Sequence, residues 1–293
     1  MSIIESRQPI PTIHAPERER ARDVCAQPAG RAGRRTWLRW GRLVSPLALL
    51  GVWQLSNALA LISPDKLPPP SQVASTAWSL MTTDTAAYGT LQGALLVSLE
   101  RFAAGFALGA LVALMLAAVA GLSRTGELTV DPLMQMVRTL PLFGLIPVFV
   151  VWFGIGELPK ILLIALGAAV PLYINAHAGI RSTDGRLLEL GRVLRLRRSE
   201  RLRHIVIPSA LPQTLVGVRL ALGTAWLSLV VAEQINASQG LGYMINQATQ
   251  FNRNDVIFVC LVVYTVLGLL TDWVVRVLEG RVLRWRTDLA VVR

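Results

Sequence analysis

Six long apolar blocks, at about 44–62, 99–122, 140–156, 161–180, 211–233 and 256–275, constrain the fold of this 293-residue chain more than any other feature. A helix rises 1.5 Å per residue, so crossing about 30 Å of hydrocarbon takes roughly 17–25 mostly apolar residues. Backbone polar groups in lipid must be satisfied within the segment, which makes each block a helix. The blocks predict an all-α membrane protein with six transmembrane helices. Composition agrees, since 53% of residues are hydrophobic and 16% charged, against roughly a quarter charged in soluble domains. Residues 1–43 are expected to be a basic, disordered cytoplasmic tail, residues 44–280 the membrane domain with its core at about 91–275, and residues 281–293 a cytoplasmic C-terminal tail. The tail is too long and polar for a signal n-region, and no small-residue cleavage site follows it, so the first block is read as a retained span.

The net charge is +11, and its distribution orients the bundle. Lys and Arg accumulate in short cytoplasmic loops. With the N-terminus inside, 24 basic residues fall on the inner side and only Lys66, Lys160 and Arg253 outside. The prediction is a multi-pass protein of the bacterial cytoplasmic membrane with both termini cytoplasmic. The arginines do not gather on an aromatic-studded surface, so no nucleic-acid partner is expected. Cys25 and Cys260 lack metal-ligand spacing, and no metal site is predicted.

Chemistry-bearing motifs are absent from the sequence. Neither lysine sits in a G-x-x-x-x-G-K-[ST] loop, the three histidines form no H-E-x-x-H pair, and there is no Gly-x-Ser-x-Gly elbow. Catalytic residues are therefore none, and the chain itself is expected to bind no cofactor. Within the spans, Gly105 and Gly109 form a small-xxx-small pair, and Pro141, Pro147 and Pro171 are expected to break the third and fourth helices. Glu100, Arg101 and Glu233 are placed at the outer interface in structural roles. Arg219 is expected to snorkel to the inner interface.

The loop between the fourth and fifth blocks, 181–212, reads RSTDGRLLELGRVLRLRRSERLRHIVIPSALP. Apolar positions at near-helical spacing predict two short amphipathic helices, with Thr183 or Asp184 capping the first and Pro208 ending the second. This loop resembles the EAA motif of permeases from bacterial binding-protein-dependent ABC importers. Glu189 takes its first position, Leu190 and Gly191 replace the two alanines, and Arg195 stands where the family usually has Gly. Ile205, Ile207 and Pro208 fall at the offsets of Ile-x-Leu-Pro. The usual Gly supplies a tight or left-handed turn, so with Arg195 either the turn lies elsewhere or the helices run on together. LPPPSQV at 67–73, SLERFAAGFALG from Ser98, RTLPLFGLIPVFVVWFGIGELPKI from Arg138, AEQINASQGLGYMINQA from Ala232 and LRWR from Leu283 resemble one branch of the family. That branch is the permeases for sulfonates, taurine and nitrate, and the aliphatic sulfonate permease is the nearest likeness.

The resemblance implies a type I ABC importer permease (MetI-like) fold, pairing as a homodimer in the lipid bilayer. It further implies two ATP-binding subunits, which hold ATP and Mg and hydrolyse the nucleotide, and an extracytoplasmic substrate-binding protein. The loop would seat in a groove of the ATPase, with Glu189, Leu190, Gly191, Arg192, Leu194, Arg195, Ile205, Ile207 and Pro208 carrying the coupling. Translocation of a small anion, most readily an aliphatic sulfonate and alternatively taurine or nitrate, needs donors along the pore, and Asn175, Thr224, Trp226 and Ser228 are the candidates. A gated channel is the more distant alternative.

Overall fold

The computed structural model describes residues 44, 48–84, 89–235 and 237–283. The tail 1–43, most of the C-terminal tail and three residues of the first block lie outside that description. Residues 48–58 form a helix, α1. The remaining helices are α2 (Pro70–Thr82), α3 (Leu91–Leu122), α4 (Arg124–Thr139), α5 (Ile146–Phe153), α6 (Glu157–Arg181), α7 (Gly185–Val193), α8 (Arg198–Gln234), α9 (Leu241–Gln250) and α10 (Asn254–Val282). No strand longer than an isolated bridge residue occurs among the described residues. Among the described residues four helices, α3, α6, α8 and α10, are long and apolar enough to cross a membrane, five if the bent pair after α3 is one span, and each of the four contains a predicted block.

The predicted third span is the element the structure changes. The break expected at Pro141 is there and turns the chain sharply, so that α4 and the segment Leu142–Phe153 meet at 93°. Pro147 instead sits in the first turn of α5, and α6 runs unbroken through Pro171, which corrects the expectation at those two prolines. Pro141 has no N–H to continue α4, and Leu140 before it is extended at φ −70°, ψ 135°, as a residue preceding proline prefers. The segment after the bend is 12 residues long, hence about 18 Å, roughly half the hydrocarbon thickness. Gly154 closes α5 at φ +79°, in the left-handed half of backbone space. The stretch 123–139, read from sequence as a loop, is the amphipathic helix α4, capped by the Ser123 hydroxyl accepting from the Gly126 N–H at 2.9 Å. Helices α2 and α9 were likewise not foreseen. Helix α2 opens at the proline run, with Pro at its first position. Helix α9 buries Leu241, Met244, Ile245 and Ala248, the i, i+3, i+4, i+7 face of an amphipathic helix.

Small residues bring α3, α6 and α8 together. Lipid tails are as apolar as leucine side chains, so helices in a bilayer associate through close packing rather than the hydrophobic effect. On α3 the small residues Gly105, Gly109, Ala113 and Ala117 recur every four positions and are buried. A Cβ on Gly109 would stand 2.3 Å from the Ala165 carbonyl oxygen, and one on Gly105 2.6 Å from Ile164 Cβ. The α6 to α8 seam works the same way, with Gly167 facing Ser228 and Gly217 facing Asn175. Phe102 stacks on Trp226 within the core, centroids 3.9 Å apart.

Arg219, half-exposed, is held by carboxylates of α10. It pairs with Asp272 (Nε–Oδ1 3.2 Å) and Glu279 (Nη2–Oε2 2.8 Å) of α10, and Asp272 also meets Arg276. Sequence alone missed this because the partners lie more than fifty residues away.

Candidate coupling loop, groove and polar clamp

The loop after α6 folds as an α-turn-α unit. Asp184 caps α7, its carboxylate accepting from the Arg186 N–H at 2.9 Å. Gly191 is buried on the inner face of α7, where an added Cβ would lie 2.9 Å from Ile205 Cδ1 and 3.2 Å from Arg201 Cγ. Its smallness sets the distance between the two halves of the loop. The turn between them is made at Arg195 itself, with φ +53°. The Arg195 N–H donates to the Arg192 carbonyl (2.9 Å) and the Leu196 N–H reaches back to Gly191 (3.0 Å). These two bonds are the Schellman pattern that ends a helix through a left-handed residue. The expectation that the turn would move or the helices merge is thus corrected: arginine occupies the position that suits glycine. Glu200 then accepts from the Arg197 N–H at 2.7 Å to start α8. Ile205 sits in a widened turn, Leu202–Val206, just before Ile207 and Pro208, whose ring conflicts with the carbonyl four residues back in a regular helix. The widened turn accommodates it, so Pro208 does not end the second loop helix as expected and the chain runs on through it as α8.

A left-handed non-glycine residue costs roughly 1–2 kcal/mol, part of which glycine gives back through its larger unfolded-state entropy. Arg195→Gly should therefore stabilise the loop by about 1 kcal/mol. Amide exchange of 185–206 in the purified membrane protein should slow several-fold, and unchanged or faster exchange would contradict the assignment of the turn.

The outer face of α7 is apolar and exposed. Leu187, Leu190, Val193 and Leu194 present 45–78% of their surface, while Glu189 and Arg192 are exposed beside them.

Between α4, the bent segment, α6 and α8 runs a groove of about 510 Å³. Pro171 in α6 and the bend at Pro141 open it, and Asn175 and Thr224 both line it. Asn175 Nδ2 donates to the Pro171 carbonyl (2.9 Å) and its Oδ1 accepts from Gln213 (2.9 Å). Thr224 Oγ1 donates to the Gly167 carbonyl at 2.8 Å. Trp226 and Ser228, expected on the same surface, are corrected. Trp226 is buried against Phe102 and donates from Nε1 to Thr271 (3.1 Å), and Ser228 is buried where Gly167 meets α8. Both belong to helix packing.

At the α9 end of the bundle, residues far apart in sequence form a buried clamp. Glu233 has no exposed surface. Its carboxylate accepts from Arg101 Nη1 (2.8 Å), the Gly242 N–H (2.9 Å) and the Tyr264 hydroxyl (3.0 Å), with Ser98 Oγ 2.8 Å from both oxygens. Ser98 Oγ also accepts from the Leu241 N–H at 2.9 Å, and Arg101 Nη1 donates to the Gln239 carbonyl at 2.6 Å. Arg101 continues to Glu157 (Nη2–Oε1 2.8 Å and a second bond from Nε), and Lys160 pairs with Glu157 at 2.9 Å. Two carboxylates and two cations thus balance, and they tie α3, α6, α8, α9 and α10. Gly240, at φ +116°, and Gly242 let the α9 backbone in; a Cβ on Gly240 would lie 2.6 Å from Glu233 Oε1. Sequence reading placed Arg101 and Glu233 at this end but connected neither to the other, and Glu100, grouped with them, is exposed and outside the cluster. Among the described residues no group of His, Cys, Asp and Glu could hold a metal ion.

This fold and loop define an ABC importer permease, and comparison with known proteins agrees. The chain belongs to the family of binding-protein-dependent transport system inner membrane components, whose model matches residues 105–284. It is a multi-pass membrane protein and a transport subunit rather than an enzyme. It is 43% identical, over 84% of its length and 87% of theirs, to a Bacillus subtilis (strain 168) protein named as an aliphatic sulfonates transport permease, SsuC. It is 34% identical to the taurine transport system permease TauC of Escherichia coli (strain K12), over 82% of this chain and 87% of that one. Among solved structures, an amino acid ABC transporter crystallised with histidines superposes with a TM-score of 0.54 at 18% identity, covering 64% of this chain and 92% of that one. That likeness concerns the fold.

Proposed function

We propose that this chain is the permease of an ATP-driven importer for aliphatic sulfonates. The observation that carries the substrate is the gradient of identity, 43% to the permease named for aliphatic sulfonates against 34% to that named for taurine. Two copies of the chain would form the pathway in the cytoplasmic membrane, with two ATP-binding subunits below and one extracytoplasmic binding protein above. ATP and Mg would reside on the partner subunits, and both termini would face the cytoplasm, the side favoured by the arginine count. The loop 181–212 would then meet the ATPase through the exposed apolar face of α7, with Glu189, Leu190, Arg192 and Leu194 at the contact. Gly191, Arg195, Ile205, Ile207 and Pro208 would shape the loop behind it. An amphipathic helix laid in a groove is an established recognition mode.

The test is sulfur-source growth and labelled uptake in a strain lacking its own sulfonate importers, supplied with this permease and the ATPase and binding protein encoded with it. Alkanesulfonate uptake dependent on all three components is expected. Uptake of taurine or nitrate in place of alkanesulfonate would leave the family and remove the substrate.

A further inference from the structure

The groove between α4, α6 and α8 carries one cation, Arg138, in the last turn of α4. Four arginines within the bundle helices are engaged with carboxylates: Arg101 with Glu157 and Glu233, Arg181 with Glu127, Arg219 with Asp272 and Glu279, and Arg276 with Asp272. Arg138 has no carboxylate within ion-pair distance and no side-chain hydrogen bond among the described residues. The other polar side chains lining the groove are already bonded. Asn175 is bonded to Pro171 and Gln213, and Thr224 to the Gly167 carbonyl. The rest of the lining is mostly apolar, including Leu142, Phe143, Val170 and Leu220, and it contains no Asp or Glu. A volume of about 510 Å³ falls in the range of small-molecule sites, roughly 300–1,000 Å³.

A single unpaired guanidinium beside a long apolar wall matches a ligand with one anionic oxygen-bearing head and an aliphatic tail. We infer that Arg138 is the transit site for the sulfonate head of the substrate, with the alkyl chain lying along the wall toward Leu220. The planar guanidinium offers paired N–H donors to two oxygens of a tetrahedral head, which a lysine offers only as a point charge. The absence of a carboxylate leaves nothing for the ammonium of an amino-sulfonate. One exposed cation without further donors also keeps the site weak, as a passing ligand requires. Arg138 complements the α4 dipole as well, but that role needs only a charge and no groove. The inference rests on the sulfonate reading above.

Proteoliposomes holding the permease with its ATPase, given the binding protein loaded with labelled hexanesulfonate, test it. Arg138→Gln should lower uptake about tenfold, the scale of one lost charged hydrogen bond, while ATPase stimulation by the loaded binding protein stays within twofold of wild type. Arg138→Lys should recover part of the uptake. Leu220→Gln should slow hexanesulfonate more than methanesulfonate. Uptake unchanged in Arg138→Gln, or ATPase stimulation falling in step with uptake, would overturn the site. A wild-type complex that moved no alkanesulfonate would instead remove the substrate reading on which the site depends.

Discussion

Glu233→Ala is expected to destabilise the folded permease by about 3–5 kcal/mol, the usual result of removing one partner of a buried charge pair. The reason lies in the number of donors aimed at that carboxylate. Arg101, Ser98, Tyr264 and the Gly242 N–H all lose their acceptor at once, in a site with no exposed surface. Glu157 would still face Arg101, so the guanidinium keeps one partner, which places the effect inside that range rather than above it. Helix α9 should loosen first, because its entry is held by the Gly242 and Leu241 N–H bonds into this cluster. Glu233→Gln should cost less, since the shape is kept, but its amide sets N–H donors against donors. Glu100→Ala, one residue from Arg101 and exposed, should change stability by no more than about 0.5 kcal/mol. Unfolding in mixed micelles with exchange protection of 241–250 measures both effects. A Glu233→Ala protein as stable as wild type would remove the clamp.

Glu189→Lys is expected to abolish coupled uptake, by tenfold or more, with the permease still folded and in the membrane. Along α7 and its turn, Glu189 is the lone carboxylate among Arg186, Arg192, Arg195, Arg197 and Arg198, because Asp184 caps the helix and Glu200 is bonded to the Arg197 N–H. Its side chain is exposed and its neighbours Leu190 and Leu194 are apolar and exposed, so the substitution leaves the interior packing alone. A charge reversal at a docked interface costs 2–5 kcal/mol when the pair is desolvated, and 1.4 kcal/mol already means a factor of ten. Copurification of the ATPase subunit and uptake are the readouts. Normal association and transport by Glu189→Lys would contradict the docking face.

The sequence was most legible where period and length decide structure. Four long helices and the first short helix of the loop, α7, follow from apolar blocks and caps, and even Gly105 and Gly109 announce their close approach to α6. In the third span Pro141 announced a break, but hydropathy, which averages over 140–156, did not show that the chain turns there by 93°, and Pro171 shows that a proline need not interrupt its helix. Helix α9 had a readable signal, Leu241, Met244, Ile245 and Ala248, masked by the glycines before it. The clamp was not legible, since Arg101 meets Glu157 and Glu233 across separations of 56 and 132 residues that no local pattern records. Trp226 and Ser228 show the converse limit: polar atoms on an apolar helix look like pore lining until their partners, Thr271 and the α6 seam, are known. At Arg195 the motif marked the right position, and only the backbone angle shows that arginine accepts the conformation glycine would take.

The central claim, that this chain moves alkanesulfonate at the expense of ATP hydrolysed by a partner, is tested most directly by reconstitution. Purified permease and its ATPase subunit are placed in liposomes with the binding protein and labelled hexanesulfonate on one side and ATP and Mg on the other. The account predicts accumulation above the outside concentration that requires ATP, the binding protein and the permease together. Equilibration without ATP would show a channel, and stimulation of the ATPase with no sulfonate movement would show that the cargo is another molecule.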